Sequence, residues 1–254
     1  MDVNQVTKTL EPETCHVFGQ VKTDHENGKP ITRLSIPAGE RSLYRIAQLD
    51  DYFNHPRRDF QYSPPVSLSL DARVSANGLP GTWGFGFWND PFSAGIGIKG
   101  SGWRLPTFPQ AAWFFYGSSA NDLSFNSNNA ANGLMASVFA SPISPSMLLT
   151  PVLPGILLLP IRPAARLIRR FIARYVRDEF QKLDHDASIW HTYHLSWLPD
   201  GVRYIVDGSQ IFSTLLSPRP PLGLVIWIDN QFAAFSSKGC VSWGMESNND
   251  PTWL

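Results

Sequence analysis

Cysteine is scarce: the 254-residue chain has Cys15 and Cys240, one near each end. So few cysteines exclude a disulfide-built scaffold, and neither has the neighbour spacing of a metal site. A single bridge between first and last strands and two independent thiols both stay open. Net charge is also lacking, since 21 Lys and Arg offset 21 Asp and Glu. Nothing global therefore draws the chain to nucleic acid. No apolar run reaches the roughly 20 residues of a regular membrane-spanning helix. The start, MDVNQVTKTLEPET, has no basic segment followed by an apolar one, so the expected location is cytoplasmic. The chain has no Gly-x-Ser-x-Gly elbow and no zincin motif. Gly95, Gly97 and Gly100 match a dinucleotide fingerprint as letters, but SGWRLP follows where a helix would be needed. No metal and no cofactor is implied.

What the chain has is aromatic residues (13%), 21 prolines and 19 glycines, the makeup of a turn-rich β protein. In WHTYHLSWLPDGVRYIVDG, residues 190–208, two alternating runs meet at Pro199-Asp200-Gly201 and close at Asp207-Gly208. Alternation across turn-forming residues predicts an antiparallel hairpin. Further strands are expected at 42–49, 66–74, 81–88, 110–116, 222–230, 241–244 and 251–254, with a polar loop over 117–133. Residues 1–40 read as an arm with one or two edge strands. The whole chain, 1–254, is expected to form one all-β sandwich.

One stretch, 142–187, breaks this pattern and reads as an insertion. Residues 147–161, MLLTPVLPGILLLPI, are an apolar loop interrupted by proline. Residues 163–182 show a helical stripe of Leu167, Ile168, Phe171, Ile172, Tyr175 and Val176 among arginines. Two readings fit. The segment is a lid over an apolar cleft, or residues 146–182 lie in a membrane interface and make the protein peripheral, with Leu157, Leu158 and Phe171 buried and Arg166, Arg169, Arg170 and Arg174 on anionic headgroups.

The hairpin, together with GTWGFGFWND at 81–90, PQAAWFFY at 109–116 and PLGLVIWIDNQ at 221–231, resembles the concanavalin A-like glucanases of glycoside hydrolase family 16. The resemblance implies a jelly-roll β-sandwich and a glycan ligand. It also implies a catalytic strand of the form E-x-D-x-E, whose carboxylates act as nucleophile and acid/base. The comparable strand here, QAAWFFY at 110–116, has no carboxylate. Hydrolysis by that route is therefore not expected, and Asp229 and His191 are the remaining, weaker catalytic candidates. Trp83, Trp88, Trp113, Tyr116 and Trp227 are the candidate ligand-stacking aromatics. Asn89, Asn230 and Gln231, at the ends of those strands, are candidates for orienting the ligand. The leading reading is a protein that binds a glycan or amphiphilic glycoconjugate in an aromatic cleft. Two alternatives stay open: a cyclase- or isomerase-type enzyme holding an apolar small molecule under the lid, and a glycosidase with relocated acids.

Overall fold

The computed structural model describes residues 4–5, 13–91, 104, 107–122, 131–141, 162–235 and 241–254, with backbone alone for 4–5, 13–17 and 162. The apolar loop with Leu157 and Leu158, the glycines at 95–100 and Cys240 lie outside the described residues, as does the side chain of Cys15.

The main layer is a seven-stranded sheet. Its strands run, in spatial order, β10 (Arg177–Lys182), β9 (Gly133–Ala140), β8 (Ala111–Gly117), β7 (Thr82–Trp88), β14 (Gly223–Asp229), β5 (Ile46–Asp50) and β2 (Glu13–Val17). All of these pairings are antiparallel. Facing it is a layer in two pieces. One is a five-stranded sheet of β1 (Asn4–Gln5), β6 (Val66–Ala72), β11 (His191–Leu198), β12 (Gly201–Val206) and β13 (Ser209–Thr214). The other is a three-stranded sheet of β17 (Thr252–Trp253), β4 (Lys29–Ile36) and β3 (Gln20–Glu26). A separate ribbon pairs β15 (Gln231–Phe235) with β16 (Val241–Met245). The architecture is the all-β sandwich that the alternating runs predict, with the jelly-roll form that the resemblance implies.

The hairpin β11–β12 forms as expected, and Asp207 and Gly208 both take positive φ, as a two-residue turn before β13 requires. The core between the layers follows from strand parity. Phe85 and Phe87 of β7, Phe114 of β8, Ala136 and Val138 of β9, and Leu224 and Ile228 of β14 point inward. They meet Leu68 of β6, Tyr193, Leu195 and Trp197 of β11, and Tyr204 of β12.

The structure departs from the sequence reading around the insertion. The helix, α1, covers Arg162–Ile172 and not 163–182. Residues 177–182 instead form β10, paired with 135–140 at the sheet edge. The helical stripe ends at Val176, and beyond it an available strand edge outweighs weak helical propensity. β9 and β13, which the sequence reading left without a strand, are complete members of their sheets. No helix among the described residues is long and apolar enough to cross a membrane.

Candidate functional site

The second face of the seven-stranded sheet, turned away from the core, carries an aromatic platform. Trp88 of β7, Trp113 and Phe115 of β8 and Trp227 of β14 share this face, with Tyr52 and Phe60 from the segment after β5. Trp88 and Trp227 are nearly parallel, 7° apart with ring centroids 6.3 Å apart, and Trp113 lies 5.3 Å from Trp227. Glycine makes this packing possible. A Cβ on Gly84 would come within 2.7 Å of the Trp227 ring, and one on Gly86 within 2.6 Å of Trp113 Cβ. The Trp227 indole therefore lies over a strand position without a side chain, and Gly86 lets β7 approach the β8 backbone at Ala112 and Trp113, which explains the aromatic-glycine alternation of β7.

Polar groups border the platform. Trp88 Nε1 donates to the Tyr52 hydroxyl at 2.6 Å. Gln48 Nε2 donates to Asp50 Oδ2 at 2.7 Å, while Asp50 Oδ1 accepts the Tyr52 and Phe53 amides. Trp113 Nε1 is buried with no hydrogen-bond partner. Behind Tyr52, Arg104 is a buried anchor. It pairs with Asp90 at 2.6 Å, lies over the Tyr52 and Phe60 rings, and donates to the carbonyls of Phe53 and His55.

Of the sequence candidates, Trp88, Trp113 and Trp227 come together here; Trp83 and Tyr116 do not. Those two stack on each other, 5.5 Å apart at 13°, on the inner face, and Trp83 is 2% exposed. The parity was readable: Trp83 and Trp88 are five positions apart and Trp113 and Tyr116 three, so each pair straddles the sheet. Asn89 and Asn230 are latches within the fold. Asn89 donates to Phe108 O and accepts from the Gln110 amide. Asn230 accepts from the Arg45 amide and donates to the carbonyls of Leu43 and Glu246. Gln231 opens β15, half-buried, with its amide on Asp229 Oδ1 at 3.2 Å.

Asp229 lies on the platform face, but its carboxylate accepts from the Thr82 amide and hydroxyl, the Gln231 amide and the Tyr44 hydroxyl. Burial raises its pKa from 3.8 to about 7, against the lowering effect of those bonds. Burial likewise raises Asp50 from 3.8 to about 6. Asp178 of β10, opposite Phe139, is a further carboxylate on this face, and Asp90, paired with Arg104 behind Tyr52, lies at its border. Asp50, Asp178 and Asp229 are not placed as a pair. Asp50 and Asp229 stand four register positions apart on adjacent strands, about 13 Å, and Asp178 lies four strands across and six register positions along from Asp229, about 28 Å. Paired glycosidase carboxylates need about 5 to 10 Å. His191 lies in the other layer, with Nδ1 2.6 Å from Asp207 Oδ2 and Nε2 3.0 Å from Asp186 O, so it shares no site with Asp229.

The end of α1 comes down on the platform's border. Ile172, Tyr175 and Val176 pack with Phe108, Ala111 and Phe139 beside Trp88 and Trp113. Phe171 packs edge-on against Tyr175 at 5.0 Å. Arg169 donates to Phe235 O, tying the helix to the β15–β16 ribbon, whereas Arg166, Arg170 and Arg174 are exposed. Sequence reasoning missed Gln48, Asp50, Tyr52, Phe60, Phe115 and Arg104. Gln48 and Asp50 alternate about Leu49 in a strand that was expected, so their common face was available. Arg104 has no local signal.

No family model matches the sequence, and no curated protein does. Among solved structures, the chain is similar to a GlcNAcα1-4Gal-releasing endo-β-galactosidase from Clostridium perfringens at 13% identity and a TM-score of 0.41, over 92% of this chain and 51% of the enzyme. The chain thus spans about half the length of that protein. It is similar to a glycoside hydrolase family 16 endo-glucanase from Bacteroides ovatus at 8% identity and a TM-score of 0.40, over 92% of this chain and 82% of the other. A glycoside hydrolase family protein from Mycobacterium thermorestibile shares 16% identity at a TM-score of 0.36, over 89% and 75%. Each of these three structures is named as a glycosidase or a glycoside hydrolase family protein.

Proposed function

We propose that the protein binds a glycan of β-linked hexopyranose units across Trp88, Trp113 and Trp227, and does not cleave it by a paired-carboxylate mechanism. The observation that carries this reading is the cluster of three indoles, with Trp227 laid over Gly84 and with the Trp113 Nε1 unpartnered among the described residues. Equatorially substituted sugars present flat C–H faces that stack on indoles, and their hydroxyls accept from an indole N–H. The spacing of Asp50, Asp178 and Asp229 supports binding without hydrolysis.

Affinity electrophoresis in gels containing laminarin or mixed-linkage β-glucan tests the proposal, followed by calorimetry with laminarihexaose and cellohexaose. Retardation is expected for the intact chain. Trp113→Ala is expected to weaken binding about tenfold or more, as for loss of an aromatic anchor. Trp243→Ala, on the exposed side of the β15–β16 ribbon, should leave it unchanged. No retardation by either polysaccharide, or equal binding by both variants, would overturn the proposal. Reducing ends released in step with the wild-type protein and lost in Asp50→Asn would overturn the non-hydrolytic part.

A further inference from the structure

The layer facing the seven-stranded sheet is split, and the split leaves a space. Among the described residues β6 pairs with β1 only at Val66 and Ser67, and β4 with β17 only at Ser35 and Ile36, and the two belong to separate sheets. The backbone joins across the seam where the Ser75 amide donates to Trp253 O, and beside it the Trp253 amide donates to Ser75 Oγ. Beneath the seam, over β5 and β14, lies a cleft of about 550 Å³. Its floor is Leu49, Phe85 and Ile226 from the main sheet, with Leu70 on the other side. Leu49, Leu70 and Ile226 point inward yet stay half-buried, while Leu68, Leu224 and Ile228 two positions along the same strands are buried. Sandwich layers normally interdigitate at such positions, so the sheets are parted here.

The mouth is built from cations, indoles and the acids Glu26 and Asp71. Arg33 and Arg73 both lie over the Trp253 ring, at 5.1 and 5.0 Å, and Arg73 also lies 5.2 Å from Trp190. Glu26 accepts two bonds from Arg73 Nη2, which bridges the seam by side chains alone. One donor is left over: Arg73 Nε is buried with no hydrogen-bond partner. Lys29 adds a further cation to the lining.

We infer that this cleft is a binding site for an amphiphile, an apolar chain ending in a carboxylate, with the chain between the sheets and the head at Arg73. The volume is that of a small-molecule pocket, about 300 to 1,000 Å³. An apolar space of this kind gains by taking up an apolar ligand, because water finds few partners in it. A carboxylate at the mouth would meet the otherwise unmatched N–H of Arg73 and the positive charge of Lys29, while Arg33 is already paired with Asp24 at 3.3 Å. The site is separate from the aromatic platform, which lies on the opposite face of the main sheet.

Calorimetric titration with dodecanoate tests the inference, with dodecanol as the neutral counterpart. The expected result is one-to-one binding of dodecanoate, weakened about tenfold or more by Leu70→Trp, which fills the cleft. Leu49→Phe, a smaller filling, carries the test if Leu70→Trp does not fold. Arg73→Met should weaken dodecanoate about tenfold and leave dodecanol unchanged. No binding, or binding that survives both filling variants, would overturn the site. Binding lost in Trp113→Ala would also overturn it, because the amphiphile would then occupy the aromatic platform. Equal loss of both ligands in Arg73→Met would overturn the role of the head group.

Discussion

At the scale of single residues, space and hydrogen-bond capacity decide which side chains are free to serve a ligand. Gly84 is an empty position that lets the Trp227 indole lie against β7, and Gly86 is one that lets β7 approach the β8 backbone. A methyl at Gly84 would meet Phe114 O at 2.4 Å as well as the Trp227 ring. Gly84→Ala is therefore expected to cost about 1 to 3 kcal/mol, the range of overpacking. The indole would be displaced with it, so the check is chemical unfolding together with β-glucan binding, and both should fall. Asn230 is the opposite case. Sequence position, at the end of an aromatic strand, nominates it for a ligand, but it is wholly buried and its amide is spent on Arg45, Leu43 and Glu246. Asn230→Ala would orphan buried backbone groups, at about 1 to 3 kcal/mol each. A lower melting temperature with unchanged glycan affinity, measured well below the transition, is the expected outcome; weakened binding by still-folded protein would return Asn230 to the site. Parity within a strand was enough to separate Trp83 from Trp88, but the sequence reading groups both as candidates. What no residue pattern could reveal is that an asparagine's bonds are already taken.

At the scale of elements, the strands that alternate cleanly or sit between turn residues were legible: β6, β7, β8, β11, β12 and β14. β9, GLMASVFA, was not, although Asn132-Gly133 and Ser141-Pro142 bound it, because it is apolar on both faces and shows no alternation. β10 was hidden differently. RDEFQK has helical charge spacing and follows a true amphipathic helix, and only its pairing with β9 makes it a strand. Long-range pairing of that kind is invisible to any local window. The result gives α1 a firm anchor, since Val176 is 0% exposed and sits with Phe139 and Phe108 just before β10. Val176→Asp would bury an unpaired charge at that joint. The expected consequence is local: amides of 162–172 should lose protection from hydrogen exchange by about tenfold or more, while those of β7, β8 and β14 keep theirs. Uniform loss across the sheet would show instead that the helix and the sandwich unfold as one unit.

At the scale of the whole molecule, a chain with no net charge still carries a pH dependence, because its acids are unequally placed. Asp229 and Asp50 are buried on one face of the main sheet with pKa values raised to about 7 and about 6. Between the ordinary value of 3.8 and those raised values, the folded chain holds protons that the unfolded chain has released. Stability from these groups is therefore present at low pH and is lost as pH rises through that window. His185 works the other way, since burial lowers its pKa and disfavours the charged form in the fold. The total curve thus mixes signs, and the informative quantity is a difference between proteins. Asn at position 229 keeps an acceptor for the Thr82 and Gln231 amides and never ionises. Asp229→Asn should therefore become more stable relative to the parent as pH rises from about 4 to about 8, by up to roughly 4 kcal/mol, at about 1.4 kcal/mol per tenfold change in proton affinity. Urea unfolding at the two ends of that range measures it. A difference that stays flat with pH would mean that the Asp229 carboxylate is ionised as readily in the fold as outside it. The hydrogen bonds from Thr82, Gln231 and Tyr44 would then outweigh its burial.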